Sequence, residues 1–178
     1  MTWELIREDG IEYTSLPEVR RHQQLCFPTY AARAADGTYV IAEERNIEKQ
    51  VPFRFECRTL RVDANHQVLF DSTAIGIDDG FGCLMGDGCI AIVRRTQWEL
   101  VIVSPQGNIV DRLGLHAFSK RLPRYARWTD RGTFLVVFFN RSFELDIVEI
   151  DRQGQLLWYL PPGAVSYTHL TLPTTPYV

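Results

Sequence analysis

Apolar positions along the chain come in short runs, and each run is cut off by a turn. Tyr39-Val40-Ile41 follows Asp36-Gly37, Ile90-Ala91-Ile92 follows Gly88, and Phe134-Leu135-Val136 follows Gly132. Val, Ile, Phe, Tyr and Trp dominate these runs, as pleated strands favour. In Leu60 to Val62 and Ile147 to Glu149, successive side chains alternate in direction, the period of a half-buried strand. No segment keeps a helical period. The best helical candidate, Leu16 to Leu25, carries Pro17 near its start and has room for a turn or two at most. The pattern predicts an all-β chain of short strands joined by tight turns.

The runs repeat. Pro28-Thr29-Tyr30-Ala31 leads to Gly37-Thr38-Tyr39, and Pro123-Arg124-Tyr125-Ala126 leads to Gly132-Thr133-Phe134; in both, nine positions separate proline from glycine. Asp79-Gly80-Phe81-Gly82, leading to Gly88-Cys89-Ile90, keeps the aromatic, the small residue and the turn glycine at the same offsets. A second half follows each copy. Leu60-Arg61-Val62-Asp63 turns into Val68-Leu69-Phe70, Val101-Ile102-Val103-Ser104 turns through Gly107 into Ile109-Val110, and Ile147 to Asp151 turns through Gly154 into Leu156-Leu157-Trp158. The period is near 45 residues, with four strand-like runs per unit.

Four-stranded antiparallel units at this period predict the blades of a β-propeller. The expected fold is a partial propeller of three blades (26–73, 74–115 and 116–163), preceded by a hairpin and linker over 1–25. Ala31, Gly82 and Ala126 fit first strands crowded around the axis, and Tyr30, Phe81 and Tyr125 fit wedges between neighbouring blades. Ala35-Asp36-Gly37, Arg45-Asn46, Asn140-Arg141, Asp151 to Gly154 and Trp158 together resemble bacterial propeller repeats of the quinoprotein-like, NHL-like and aryl-sulfotransferase-like kind. The resemblance covers residues 26 to 160 and implies the fold. The Gly-His and Trp-Asp pairs of WD repeats are absent. Three blades do not close a ring, which takes four to eight. Further blades of the same chain are therefore expected as partners of the arc, and the hairpin Trp3 to Tyr13, turning at Asp9-Gly10, is expected to complete the last one.

Composition adds boundaries. With 46% hydrophobic and 23% charged residues and a net charge of −3, the chain reads as globular. The acidic balance argues against a nucleic-acid partner, and no apolar run has the length of a membrane span. No signal-peptide run follows Met1, which predicts a cytoplasmic protein. Cys26, Cys57, Cys83 and Cys89 show no metal-knuckle spacing, and reduced buried thiols are expected. Val165 to Thr174 resembles the translation of a transposase-type sequencing adapter, so residues 165–178 are expected to be a non-native tail.

Function is expected on the loops that join blades and on those between second and third strands. These bring up the ligand-binding candidates Glu43, Glu44, Arg45, Asn46, Asp78, Asp79, Asn140 and Arg141. Glu43 or Glu44 with Asp78, Asp79 and Asn140 could supply oxygens to a calcium-like ion, although solvated loop carboxylates are the plainer reading. No metal site and no cofactor are predicted; calcium is the one ion this set would suit. His116 with Arg121, or His22 with Arg94, could act as general base and anion clamp; exposed loop residues are again the plainer reading. The basic cluster Arg121, Arg124 and Arg127 reads as pairing with acids at the rim. No Ser/His/Asp order, phosphate loop or H-E-x-x-H helix occurs. Two functions follow: a binding module for a protein or small polar ligand on the loop face, or a propeller enzyme (lactonase, lyase or sulfotransferase-like) on an anionic or sugar-like substrate.

Overall fold

The computed structural model describes residues 26–46, 55–140 and 144–160. The expected N-terminal hairpin, the 16–25 helical candidate and the 165–178 tail lie outside them, as do His22 and Arg141. The described chain forms three four-stranded antiparallel meanders. The first holds β1 (Cys26–Arg33), β2 (Tyr39–Asn46), β3 (Phe55–Val62) and β4 (Val68–Asp71). The second holds β5 (Gly80–Leu84), β6 (Ile90–Arg94), β7 (Glu99–Val103) and β8 (Ile109–Gly114). The third holds β9 (Leu122–Trp128), β10 (Phe134–Phe139), β11 (Leu145–Ile150) and β12 (Leu156–Leu160). Each sheet keeps its strands in chain order, as the repeat predicts. One element was not legible in the pattern: a 3₁₀ turn, Ser72–Ile75, capped by the Asp71 carboxylate and stopped at Gly76, whose φ is 76°.

Six turns share one geometry. In each, the residue that opens the turn accepts from the N–H three positions on: Gly37 to Ala34, Gly88 to Met85, Gly132 to Thr129, His66 to Asp63, Gly107 to Ser104 and Gly154 to Asp151. That donor has positive φ, between 76° and 87° for the five glycines and 65° for His66. Glycine adopts this conformation without a Cβ penalty; His66 adopts it against one. These turns set the register of every outer and inner hairpin and place both at one end of the sheets.

The sheets stack face to face. β5 packs against β1, β2 and β3, and β9 packs against β5 and β6. First strands therefore crowd together at the axis of the stack. One core joins Val40 and Phe70 to Ile90, Ile92, Val101 and Val103; a second joins Ala91, Val93, Leu100 and Ile102 to Phe134, Val136, Phe138 and Val148. Gly82 is small because it must be: a Cβ there would lie 2.6 Å from the Thr59 Cγ2 and 3.0 Å from the Ile90 Cγ2. The aromatic wedges bridge sheets. The Tyr30 hydroxyl accepts from the Leu84 N–H at 3.1 Å, and the Phe81 and Tyr125 rings stack with centroids 5.4 Å apart. Sheets ordered in this way, with first strands innermost, are the blades of a partial β-propeller. Among the described residues no helix is long and apolar enough to cross a membrane.

Candidate functional site

The face opposite the six turns carries the sheet-to-sheet connections, 72–79 and 115–121, and the β6–β7 link. Just beneath it, each sheet repeats one cluster of three side chains, drawn from its second, third and fourth strands. In the first sheet Arg58 pairs with Glu43 and, at 3.2 Å, with Asp71. In the second Glu99 accepts from Arg94 at 3.1 Å and Arg112 at 2.7 Å. In the third Asp146 lies opposite Phe138 and accepts from the Tyr159 hydroxyl at 3.4 Å. Its cation comes instead from the β8–β9 connection, where Arg121 donates to both carboxylate oxygens at 3.0 and 2.9 Å. The middle position is a base in the first sheet and an acid in the other two, and its neighbours change to match.

This arrangement absorbs several residues the sequence nominates for chemistry. Glu43 and Glu44 sit in β2 rather than in a loop, because the strand runs to Asn46. Glu43 is fully buried, so it does not face a ligand in solution; its Oε1 is held by Arg58. Glu44 is half-buried opposite Cys57, and Arg45 and Asn46 pair with Glu56 and Phe55 in the ladder. Arg94 closes β6 and ties Glu99 to Asp79. Arg121 is shared between Asp146 and the exposed Glu144, which also accepts from Asn140 at 2.8 Å.

Asp79 is the hub of the connection. Burial raises its pKa, but the Thr96 hydroxyl and N–H and the Arg94 guanidinium outweigh that and hold it below the ordinary carboxylate value. Its carbonyl accepts from Arg95 Nε at 3.1 Å. Asp78 points outward, and its carbonyl accepts from the Cys57 N–H at 2.8 Å, joining the connection to the first sheet. Arg95 also donates to the Cys57 sulfur at 3.1 Å and lies over the Phe81 ring. Burial pushes the Cys57 thiol up to about 11, so at neutral pH it is a protonated packing group rather than a nucleophile. Cys83 and Cys89 are likewise free and buried.

His116 is exposed and lies flat on Trp98, centroids 5.0 Å apart and planes 7° from parallel. No hydrogen bond or ion pair links it to Arg121, so the imagined base-and-clamp pair is not assembled. Of the calcium set, Glu43 is buried with Arg58, Asp79 is held by Arg94 and Thr96, and Asn140 donates to Glu144, while Glu44 is half-buried in β2 and Asp78 points outward. Among the described residues no three His, Cys, Asp or Glu side chains gather as a metal site. Trp98 escaped the sequence reading. A bulky aromatic in the Arg95-Thr96-Gln97-Trp98 turn, with φ of 52°, is the signal that marks it. Its carbonyl accepts from the Leu115 N–H at 2.7 Å, which fixes the connection bearing His116.

No family model matches the chain, and no curated protein matches it. Among solved structures, the fold is similar to a protein of unknown function from Bacteroides caccae, with a TM-score of 0.52, 16% identity and 89% of this chain covered. A virginiamycin B lyase from Staphylococcus aureus aligns over 87% of this chain at 12% identity and a TM-score of 0.49. The chain spans 53% and 61% of the lengths of those two proteins.

Proposed function

We propose that the chain is part of a β-propeller binding module that takes a small polar ligand or a protein segment on its connection face. The observation that supports this reading is the Trp98–His116 stack. Its outer layer is the exposed His116 imidazole, lying flat on a partly buried Trp98 ring and fixed by the Leu115–Trp98 hydrogen bond. Lys120 and Asp78, on the two sheet-to-sheet connections, and Glu144, just before β11, are exposed and carry both signs of charge. The charged groups that an enzyme would need free, Arg94, Arg121 and Glu43, are engaged in ion pairs with their own sheet or connection. An aromatic platform of this kind binds and orients, and Arg121, the clamp the imidazole would need, is held by Asp146 and Glu144.

Amide-resolved NMR titration of the full chain with sodium acetate, sodium sulfate and glucose tests the reading. Shifts clustered on residues 95–98 and 115–121, and abolished by His116→Ala, support it. Shifts confined to other surfaces, or none with any probe, count against it.

A further inference from the structure

The three sheets use the same positions to pack on one another, and the third sheet carries that set of positions into open space. The second sheet turns Ala91, Val93, Leu100, Ile102 and Leu113 toward the third. Aligned on the turn glycines and turn-opening residues, the third sheet has Leu135, Val137, Ile147, Glu149 and Leu160 there. Four are apolar and only partly buried, and Trp158, beside Glu149 in the ladder, is 46% exposed. Among the described residues no strand covers this face.

Two polar features also recur. Tyr30 of the first sheet reaches the Leu84 N–H of the next. Its counterpart on the third sheet, Tyr125, is 41% exposed and already stacked on Phe81. The second feature recurs with its charge exchanged. In the first sheet Arg61 is held by Asp36 and Thr38, each at 2.8 Å, and donates at 2.9 Å to the Gly88 carbonyl in the first turn of the next sheet. The same three positions in the third sheet are Glu149, Arg131 and Thr133, with Glu149 accepting from Arg131 at 2.7 and 2.6 Å and from the Thr133 hydroxyl at 2.6 Å. A cleft bounded by these residues, Leu135 and Trp158 opens on that side.

We propose that this face is the seat of a fourth four-stranded sheet of the same repeat, within the same protein, and that the seat is keyed with reversed polarity. Where Arg61 donates to a turn carbonyl, Glu149 accepts, so the incoming first turn presents an N–H or a cationic side chain. A second copy of the chain is the poorer occupant. The surface it would have to offer is the counterpart of Phe134, Val136, Val148 and Ile150. In the first sheet that surface is Tyr39, Ile41, Leu60 and Val62, which are already 0–4% exposed.

The test inserts a second copy of residues 115–160 after Leu160 in the full chain. It is made with the native face, and again with Arg131→Asp and Glu149→Arg, which give that face the polarity of the first sheet. The inserted copy presents the Gly132 carbonyl where the second sheet presents that of Gly88. Docking is read as acrylamide quenching of Trp158, isolated by difference against Trp158→Phe. The restored-polarity version should show quenching lowered roughly threefold, as for a side chain passing from half exposed to buried. The native face should show a smaller drop. Equal quenching of Trp158 with and without the insert, in both versions, overturns the seat. An equal drop in both versions overturns the key. Concentration-dependent dimers of the unextended chain that shield Trp158 overturn the assignment of the occupant.

Discussion

Arg58→Met separates a structural from a ligand-facing role for Glu43. The Arg58 side chain is 2% exposed and that of Glu43 0%, and the remaining Glu43 oxygen, Oε2, is buried without a partner. Removing the guanidinium leaves a buried carboxylate with no cation, whereas Asp71 keeps its bonds to Thr73 and its 23% exposure. Breaking a buried pair from one side costs about 3–5 kcal/mol. At about 2–4 °C per kcal/mol for a chain of this size, the melting midpoint should fall by roughly 6–20 °C. The double variant Glu43→Leu/Arg58→Met removes the desolvation cost along with the attraction and keeps the volume. It should recover to within about 1 kcal/mol of the parent, or exceed it. Thermal unfolding by circular dichroism, with urea titration to check that the m-value is unchanged, reads both. A single variant that costs under about 1 kcal/mol, or a double variant as unstable as the single, would refute the reasoning.

Other consequences follow from the same geometry. Gly82→Val drives side-chain atoms into Thr59 and Ile90 and should cost about 1–3 kcal/mol in chemical denaturation; a neutral outcome would mean that the first two sheets are not packed there. His66→Gly should gain about 0.5–1 kcal/mol by relieving the left-handed conformation, while Gly107→Ala should lose about 1–2 kcal/mol. The Asp79 pKa is lowered in the folded state, so its contribution to stability is complete above the unfolded value of about 4 and is lost as pH falls through the depressed one. Asp79→Asn should therefore flatten the acid limb of melting temperature against pH, and superimposable limbs would contradict this. Millimolar calcium should leave the midpoint unmoved, because Glu43 and Asp79 already hold cationic partners; a rise of several degrees would show that the ion is bound.

The fold was legible in the sequence because its turns are chemical. Gly37, Gly88, Gly132, Gly107 and Gly154 each occupy a position where φ is positive, and their spacing carries the repeat period. Where His66 stands in for glycine, flanking Asp63 and Val68 still mark the turn. The clusters beneath the connection face were not legible. Glu43–Arg58, Arg94–Glu99 and Phe138–Asp146 are cross-strand partners in register, but loops of different length separate them along the chain. Their charges invert between the first two sheets, and the third puts Phe138 opposite an acid, so neither spacing nor identity repeats. Glu43 reads in the sequence as a loop carboxylate, and only the buried Arg58 opposite it in the ladder shows otherwise. The pairing of Trp98 with His116 is not visible in the sequence, because it depends on a connection folding back across a turn.

Three sheets stack as blades with their first strands innermost. Inter-residue NOEs in the full chain test this stacking most directly. Cross-peaks from the Tyr30 ring to the Leu84 amide, and between the Phe81 and Tyr125 rings, should appear together, with no continuous backbone ladder from β4 to β5 or from β8 to β9. A ladder that joins the sheets edge to edge, with those ring contacts missing, would contradict it.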